Sequence, residues 1–254
     1  MTSERHASKL SKVAEGLAAW LAYEARCGRS GLLCEAYLRY ALTQLVKCRY
    51  PHPRRVRPER PHPVLNRDRR PGRKRSVDYV VFDGHGRREV GVEVKWASGR
   101  SSQAYEILKD ALRQTLFVAN SGRQAFIILA GMRPDMRELL KHEIFSRNPH
   151  GVDHRIAMPT KEGVQVQLLL EPKPGHGPCQ AAYARMLTES FKKVPLPIRT
   201  GLECTKHFSV RLEDEDRIPE ILVWRVLPHV VSKRTFVPGE GGDDTMTSTR
   251  QGAA

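Results

Sequence analysis

The chain has 254 residues, 40% of them hydrophobic and 28% charged, with a formal net charge of +15 at pH 7. This length and composition are sufficient for a large core and exclude a disordered chain, and the charge favours polyanionic partners, nucleic acid first. No apolar run approaches ~20 residues and no apolar signal segment opens the chain, so we expect no membrane partner and a cytoplasmic location.

Two helices are predicted in the first fifty residues from apolar positions at helical spacing. The first covers 8–26, with Leu17 on its apolar face, and stops before a glycine. The second covers 31–48, with Leu42 on its apolar stripe and Glu35 near its beginning. Glu35 is therefore an acid just before the first predicted strands.

Most of the excess positive charge lies in one segment, 47–75, where twelve Lys and Arg face two acids and carry +10 of the net charge. Five prolines before Asn66 disfavour a helix or a central strand, so we expect an irregular loop. The loop is either a solvated linker or an arm that contacts phosphates. The candidate nucleic-acid-binding residues are Arg54, Arg55, Arg57, Arg69, Arg70, Arg73, Lys74 and Arg75, together with Arg100 further along the chain.

A turn between two apolar runs predicts a β-hairpin. The runs 77–83 and 89–96 flank the glycines and the aspartate of 83–86, which favour a tight turn. If the loop is symmetric, the numbers of paired residues sum to 171. Asp78 then lies directly opposite Glu93.

Three ionisable side chains converge on one face of this hairpin. Side chains alternate along a strand, so Glu93 and Lys95 share the face of Asp78 while Val94 points to the other. Facing carboxylates repel each other unless a cation compensates them. Magnesium accepts a few carboxylate oxygens and keeps several waters, so the two acids and the Val94 carbonyl form a candidate Mg²⁺ site.

Lys95 has two interpretations. Beside a metal-bound water, its amine can orient the water or help to deprotonate it for attack on a phosphodiester. On a solvent-facing hairpin it would instead form an ordinary ion pair with Glu93 or Asp78, which contributes about 0 to 1 kcal/mol. The apolar neighbours Val80 and Phe82 on the same face favour a covered site.

The rest of the chain continues as a mixed α/β pattern. A helix is predicted over 102–120 and a buried strand over 124–131. On the helix, Lys109 and Arg113 either line an approach for phosphates or are solvated. Further predicted elements are a helix at 135–146, a strand at 164–171, a possible helix at 180–193, strand-like runs at 206–212 and 220–227, and a disordered tail at 239–254.

The spacing of Asp78 and Glu93-Val94-Lys95, with a helix before and after the hairpin, resembles the PD-(D/E)XK nuclease superfamily. The resemblance covers roughly residues 30–131. It implies an α/β (α+β) restriction-endonuclease-like core, with a central mixed β-sheet flanked by helices in the order α-β-β-β-α-β or close to it. The predicted divisions are an N-terminal helix (1–26), the nuclease core (27–172), a C-terminal α/β extension (173–238) and the tail.

The resemblance also implies roles for individual residues. Asp78 and Glu93 would hold Mg²⁺, for which Mn²⁺ substitutes, and Lys95 would assist the attacking water. Glu35 matches the acid that many members carry in the preceding helix. Gln114 resembles the glutamine that some members carry in the following helix, although the tyrosine often found four residues later is Val118 here.

These features together predict a Mg²⁺-dependent endonuclease that hydrolyses phosphodiester bonds in DNA, with a homodimer as a possible assembly. Two alternatives remain open at this point. One is a non-catalytic nucleic-acid-binding module on the same fold, in which the acid pair is structural. The other is a nuclease directed at RNA.

Overall fold

A computed structural model describes residues 2–50, 56–66, 75–83, 85–100, 102–120, 124–142, 144–145, 158–172, 177–209 and 218–239. Its helices are α1 (Thr2–Arg26), α2 (Glu35–Arg49), α3 (Ser102–Asn120), α4 (Arg133–Lys141) and α5 (Gly177–Phe191). Its strands are β1 (Val56–Pro61), β2 (Ser76–Phe82), β3 (Arg88–Ala97), β4 (Gln124–Met132), β5 (Gln165–Leu169), β6 (Leu196–Pro197), β7 (Arg199–Ser209), β8 (Pro219–Val226) and β9 (Thr235–Phe236).

A mixed sheet organises the described part of the chain. Seven strands follow the order β1-β2-β3-β4-β8-β7-β5, and β6 pairs with β9 apart from them. Strands β3 and β4 are parallel and the other neighbours in the large sheet are antiparallel. A parallel pair needs a long crossover, which α3 supplies. The predicted central mixed sheet flanked by helices is confirmed.

Helices cover both faces of the sheet. On one face Leu17 of α1 and Leu42 of α2 belong to the same buried cluster as Val92 and Val94 of β3. On the other face α3 contributes a second buried cluster, which includes residues of β4 and of α5. Strand β4 is buried along its length except at its last residue, so the predicted buried strand is confirmed. The sheet therefore separates two apolar layers, and β3 lies between them.

The expectation of an irregular loop throughout 47–75 is wrong at two places. Helix α2 extends to Arg49, and the proline-containing stretch Val56–Pro61 forms β1 at the edge of the sheet. An edge strand hydrogen-bonds on one side alone, so it accommodates prolines that a central strand would exclude. Glu59 within β1 has a φ of +47° and interrupts the pairing opposite Asp78.

Several predicted boundaries also shift. Helix α2 begins at Glu35 because Ser30–Leu32 forms a 3-10 helix and Cys34 is extended. Helix α4 ends at Lys141, where the backbone leaves the helical region at His142. Strand β7 begins at Arg199, seven residues before the predicted run. The sequence pattern misses these first residues because Leu202 is the one large aliphatic side chain among 199–205. Residues 210–212 and 240–254 lie outside the described ranges.

No helix in the described ranges is both long enough and apolar enough to cross a membrane.

A buried histidine fastens the turn that follows β1. The backbone N–H groups of Val64 and Leu65 both lie close to His62 Nδ1 (3.2 and 3.3 Å) and donate to it, so the ring proton is on Nε2. Nε2 donates to the Arg113 carbonyl on α3 (2.8 Å). Burial, together with the nearby arginines, lowers the pKa of His62 to about 4, against the opposing effect of the Arg113 carbonyl. The turn is therefore held to α3 by a neutral imidazole.

We expect the free energy of unfolding to fall as the pH drops from 6.5 towards 4. In that window the unfolded chain takes up a proton at His62 that the folded chain does not, and the folded-state pKa of about 4 corresponds to a loss of about 3 kcal/mol. Urea denaturation across this pH range for the wild type and for His62→Gln measures the difference. If the free energy of unfolding falls with pH to the same extent in both proteins, the loss of stability does not come from His62.

Candidate active site

The hairpin register brings two acids together at the point where β2 begins. Tyr79 pairs with Val92 and Val80 with Gly91, which confirms the predicted pairing, and a bulge near Phe82 shifts it by one residue towards the turn. Continued by one residue, this register puts Asp78 opposite Glu93. The Val94 N–H donates a hydrogen bond to Asp78 Oδ2 (2.9 Å), which fixes the Asp78 carboxylate against β3.

Glu93 is a buried carboxylate paired with a single arginine. The residue is fully buried, Arg113 Nη2 lies 3.0 Å from its Oε1, and its Oε2 has no hydrogen-bond partner within the described ranges. Burial and the nearby Asp110 and Asp78 carboxylates raise the pKa of Glu93 well above its usual range, against the opposing effect of Arg113. Ionised carboxylates accept hydrogen bonds and cannot donate them. Glu93 can therefore donate a hydrogen bond to Asp78 when Glu93 is protonated.

A third buried acid, Asp110 of α3, was not predicted. Asp110 is fully buried, and burial raises its pKa against the opposing effects of Arg113 and Lys95. A pattern in the sequence identifies it: Ile107, Asp110, Gln114 and Phe117 follow one another at helical spacing and are all fully buried. An acid and an amide within this apolar stripe indicate a polar site beneath α3.

Two arginines pair with these acids. Arg113 Nη2 lies 2.6 Å from Asp110 Oδ1 and 3.0 Å from Glu93 Oε1. Arg39 Nη2 of α2 lies 2.8 Å from Asp78 Oδ1. The Arg113 side chain is 18% exposed, so the interpretation of Arg113 as a solvated helix charge is wrong. Lys109 is also partly covered and pairs with Glu106.

Lys95 lies between acids from two helices. Its Nζ is 3.6 Å from Asp110 Oδ2 and 3.9 Å from Glu35 Oε2. Burial lowers the pKa of Lys95, but Asp110, Glu35 and Asp78 together raise it by more, so the net pKa is raised. The side chain is 18% exposed and is fixed on the α3 side of the sheet, the same side as Glu93. The amine is therefore a positioned cation beside the facing carboxylates.

The other predicted site residues also lie near this cluster. Glu35 accepts from Arg39 Nη2 (3.0 Å) as well as lying near Lys95. Gln114 is fully buried and covers Gly91 of β3, where the side chain of any other residue would meet its Oε1. Val94 contributes its N–H to Asp78, while its side chain packs in the layer beneath α1 and α2. A metal-binding role for the Val94 carbonyl stays a prediction.

The predicted nucleic-acid-binding residues fall into two groups. Arg57 on β1, Arg75 before β2 and Arg100 after β3 are exposed. The others lie outside the described residues: Arg54, Arg55, Arg69, Arg70, Arg73 and Lys74.

The donor set fits a small hard cation bound by two protein ligands. Asp78 and Glu93 provide carboxylate oxygens on adjacent strands, and Glu93 Oε2 has no hydrogen-bond partner within the described ranges. Mg²⁺ often binds one or two carboxylates and completes its shell with water and phosphate oxygens. Over the described ranges, no group of three or more His, Cys, Asp or Glu side chains is arranged to hold a metal ion. Arg39 and Arg113 take the cation's place beside the acids.

Comparison of the chain with protein-family models, with curated proteins and with solved structures found no match. The geometry of the cluster is therefore what indicates a function.

Proposed function

We propose that the protein is a Mg²⁺-dependent nuclease that hydrolyses phosphodiester bonds in DNA. The observation that supports this most strongly is Glu93, a fully buried carboxylate that faces Asp78, shares Arg113 with the buried Asp110 and lies two residues from Lys95. An arrangement of this kind is destabilising unless a cation offsets it. Strongly perturbed acids around a positioned lysine are also typical of catalytic sites.

Each residue of the cluster has a distinct role in this proposal. Asp78 and Glu93 would hold Mg²⁺, which when bound neutralises phosphoryl charge and activates water. The Lys95 amine offsets the negative charge that develops on the phosphoryl oxygens. Glu35 and Asp110 position that amine through their contacts of 3.9 and 3.6 Å.

Incubation of supercoiled plasmid with the protein tests the proposal. We expect nicked and linear products with Mg²⁺ or Mn²⁺ and intact plasmid with EDTA. A labelled RNA of matched sequence, assayed in parallel, separates a DNA-directed from an RNA-directed nuclease. Cleavage that is equal with Mg²⁺ and with EDTA, or absent under both conditions, would contradict a metal-dependent nuclease.

The two arginines of the cluster favour a second candidate, a non-cleaving nucleic-acid-binding module. Arg113 lies between Glu93 and Asp110, and Arg39 holds Asp78, so the acids already have cationic partners. In such a module the acids would be structural. Binding of DNA that survives EDTA, with no cleavage under any divalent metal, would support the module.

We expect DNA affinity to depend steeply on salt through the basic segment 47–75. Each neutralised phosphate contributes about 0.9 to the slope of log K against log salt, so replacing Arg69, Arg70, Arg73 and Lys74 with Gln should lower that slope by about 3 to 4. The residues are substituted, and the segment 51–74 is not deleted, because that segment contains β1.

The matched control removes the same charge from exposed positions in other elements: Arg26, Arg137, Lys192 and Lys233, each replaced with Gln. If the two variants show equal slopes of log K against log salt, the basic segment does not contact the DNA.

A further inference from the structure

Three arginines lie near the turn that His62 anchors and form no ion pair with an acid of the described ranges. They are Arg60 of β1, Arg75 just before β2 and Arg88 of β3. The arginine ion pairs within the described ranges involve other arginines, such as Arg39 and Arg113.

The structure holds two of these guanidinium groups in place. Arg88 Nη2 donates to the Pro61 carbonyl (3.3 Å), and the Arg75 guanidinium lies over the Phe191 ring at 5.9 Å. The backbone of Arg75 is also fixed, because its N–H donates to Asn66 Oδ1 (3.0 Å) and its carbonyl accepts from the His62 N–H (2.8 Å). Long side chains that are already ordered lose less conformational entropy when they bind a ligand.

The electrostatics of the group favour an anion. Burial and the nearby Arg60 lower the pKa of Arg88, and burial and the nearby Arg113 lower the pKa of Arg75. Arginine next to an acid shows the opposite shift, as in Arg39, whose pKa is raised by Asp78 and Glu35 against burial. Arg88 lies close enough to Arg60, and Arg75 to Arg113, for like charges to repel, and a bound anion would relieve that repulsion.

The group adjoins the acid cluster through Arg113. The Arg113 carbonyl accepts the His62 hydrogen bond, while its side chain lies 3.0 Å from Glu93 Oε1. One residue of α3 thus joins the two regions. A polyanion bound over His62 would pass close to Glu93 and Lys95.

We propose that Arg60, Arg75 and Arg88 form a binding surface for consecutive phosphate groups of a nucleic-acid backbone. Planar guanidinium groups match phosphate oxygens in paired hydrogen bonds. They come from β1, from the residue before β2 and from β3, and the formal net charge of +15 on the chain favours an extended polyanion as the ligand. The choice of nucleic acid as the polyanion rests on the proposed function, whereas the surface itself does not require catalysis.

Fluorescence anisotropy with a short labelled DNA duplex in EDTA tests the surface without cleavage. Replacing Arg60, Arg75 and Arg88 together with Gln should weaken binding by about 10- to 100-fold at moderate salt and lower the salt slope by about 3. The corresponding triple Lys variant keeps the charges and should retain most of the slope, which separates charge loss from misfolding. Replacing Arg26, Arg137 and Arg199, exposed residues of other elements, with Gln should leave both values unchanged.

An unchanged slope in the Gln variant, an equal loss in the control, or no DNA binding by the wild type would overturn the proposal. Competition by polyglutamate as effective as competition by unlabelled DNA would overturn the choice of ligand. Arginine-dependent binding in a protein that never cleaves DNA would support the surface and refute the nuclease. If the wild type cleaves DNA but the Gln variant binds DNA as tightly as the wild type, the nuclease would be supported and the binding surface refuted.

Discussion

Replacing Lys95 with methionine should lower the rate of Mg²⁺-dependent DNA cleavage by about 10²- to 10⁴-fold. Methionine keeps much of the side-chain length but removes the cation that lies 3.6 Å from Asp110 and 3.9 Å from Glu35. Single-turnover cleavage of a labelled duplex measures the loss. Binding in EDTA should change little, because Lys95 is mostly covered and is one of many cations in the chain.

The control is Lys109→Met on α3. Lys109 is also mostly covered, but it pairs with Glu106 and makes no contact of the kind that joins Lys95 to Asp110. Its cleavage rate should stay within a few-fold of the wild type. Full activity in Lys95→Met would rule out the role proposed for this amine.

Replacing Arg113 with methionine should lower the free energy of unfolding by about 3 to 5 kcal/mol in EDTA at neutral pH, because it leaves buried acids without their partner. Arg113 lies within 3.0 Å of both Glu93 and Asp110, and both acids are fully buried. Adding Mg²⁺ should restore part of the loss, since a ligand that binds the folded state alone stabilises it by mass action. Chemical denaturation with and without Mg²⁺ measures both effects.

Arg133→Met provides the comparison. Arg133 pairs with Glu220 at 2.7 Å, and both side chains are about as buried as Arg113, but the pair belongs to α4 and β8. We expect a loss that does not respond to Mg²⁺. If Mg²⁺ fails to stabilise Arg113→Met more than Arg133→Met, the buried acids do not bind the ion.

The hairpin and its charged face follow from the sequence because the physics involved is local. Turn residues set the register, and strict alternation then assigns Glu93 and Lys95 to one face and Val94 to the other. The facing of Asp78 and Glu93 needs no information from distant parts of the chain. The helices before and after the hairpin are likewise set by apolar spacing.

Features that depend on tertiary position were missed. Pro58 and Pro61 are typical of irregular chain, and the edge position of the sheet allows them to form β1. Arg113 resembles an ordinary helix charge until α3 is placed over β3. Arg39 reaches Asp78 from α2, and no pattern within α2 indicates that contact.

The most direct measurement of the central claim is anomalous diffraction from a crystal soaked in Mn²⁺. We predict a peak between the carboxylates of Asp78 and Glu93, with the Arg39 and Arg113 side chains moved away from these oxygens, and no peak in Glu93→Gln. A wild-type map without a peak there, in which Arg39 still holds Asp78 and Arg113 still lies beside Glu93, would contradict a metal site between the two acids.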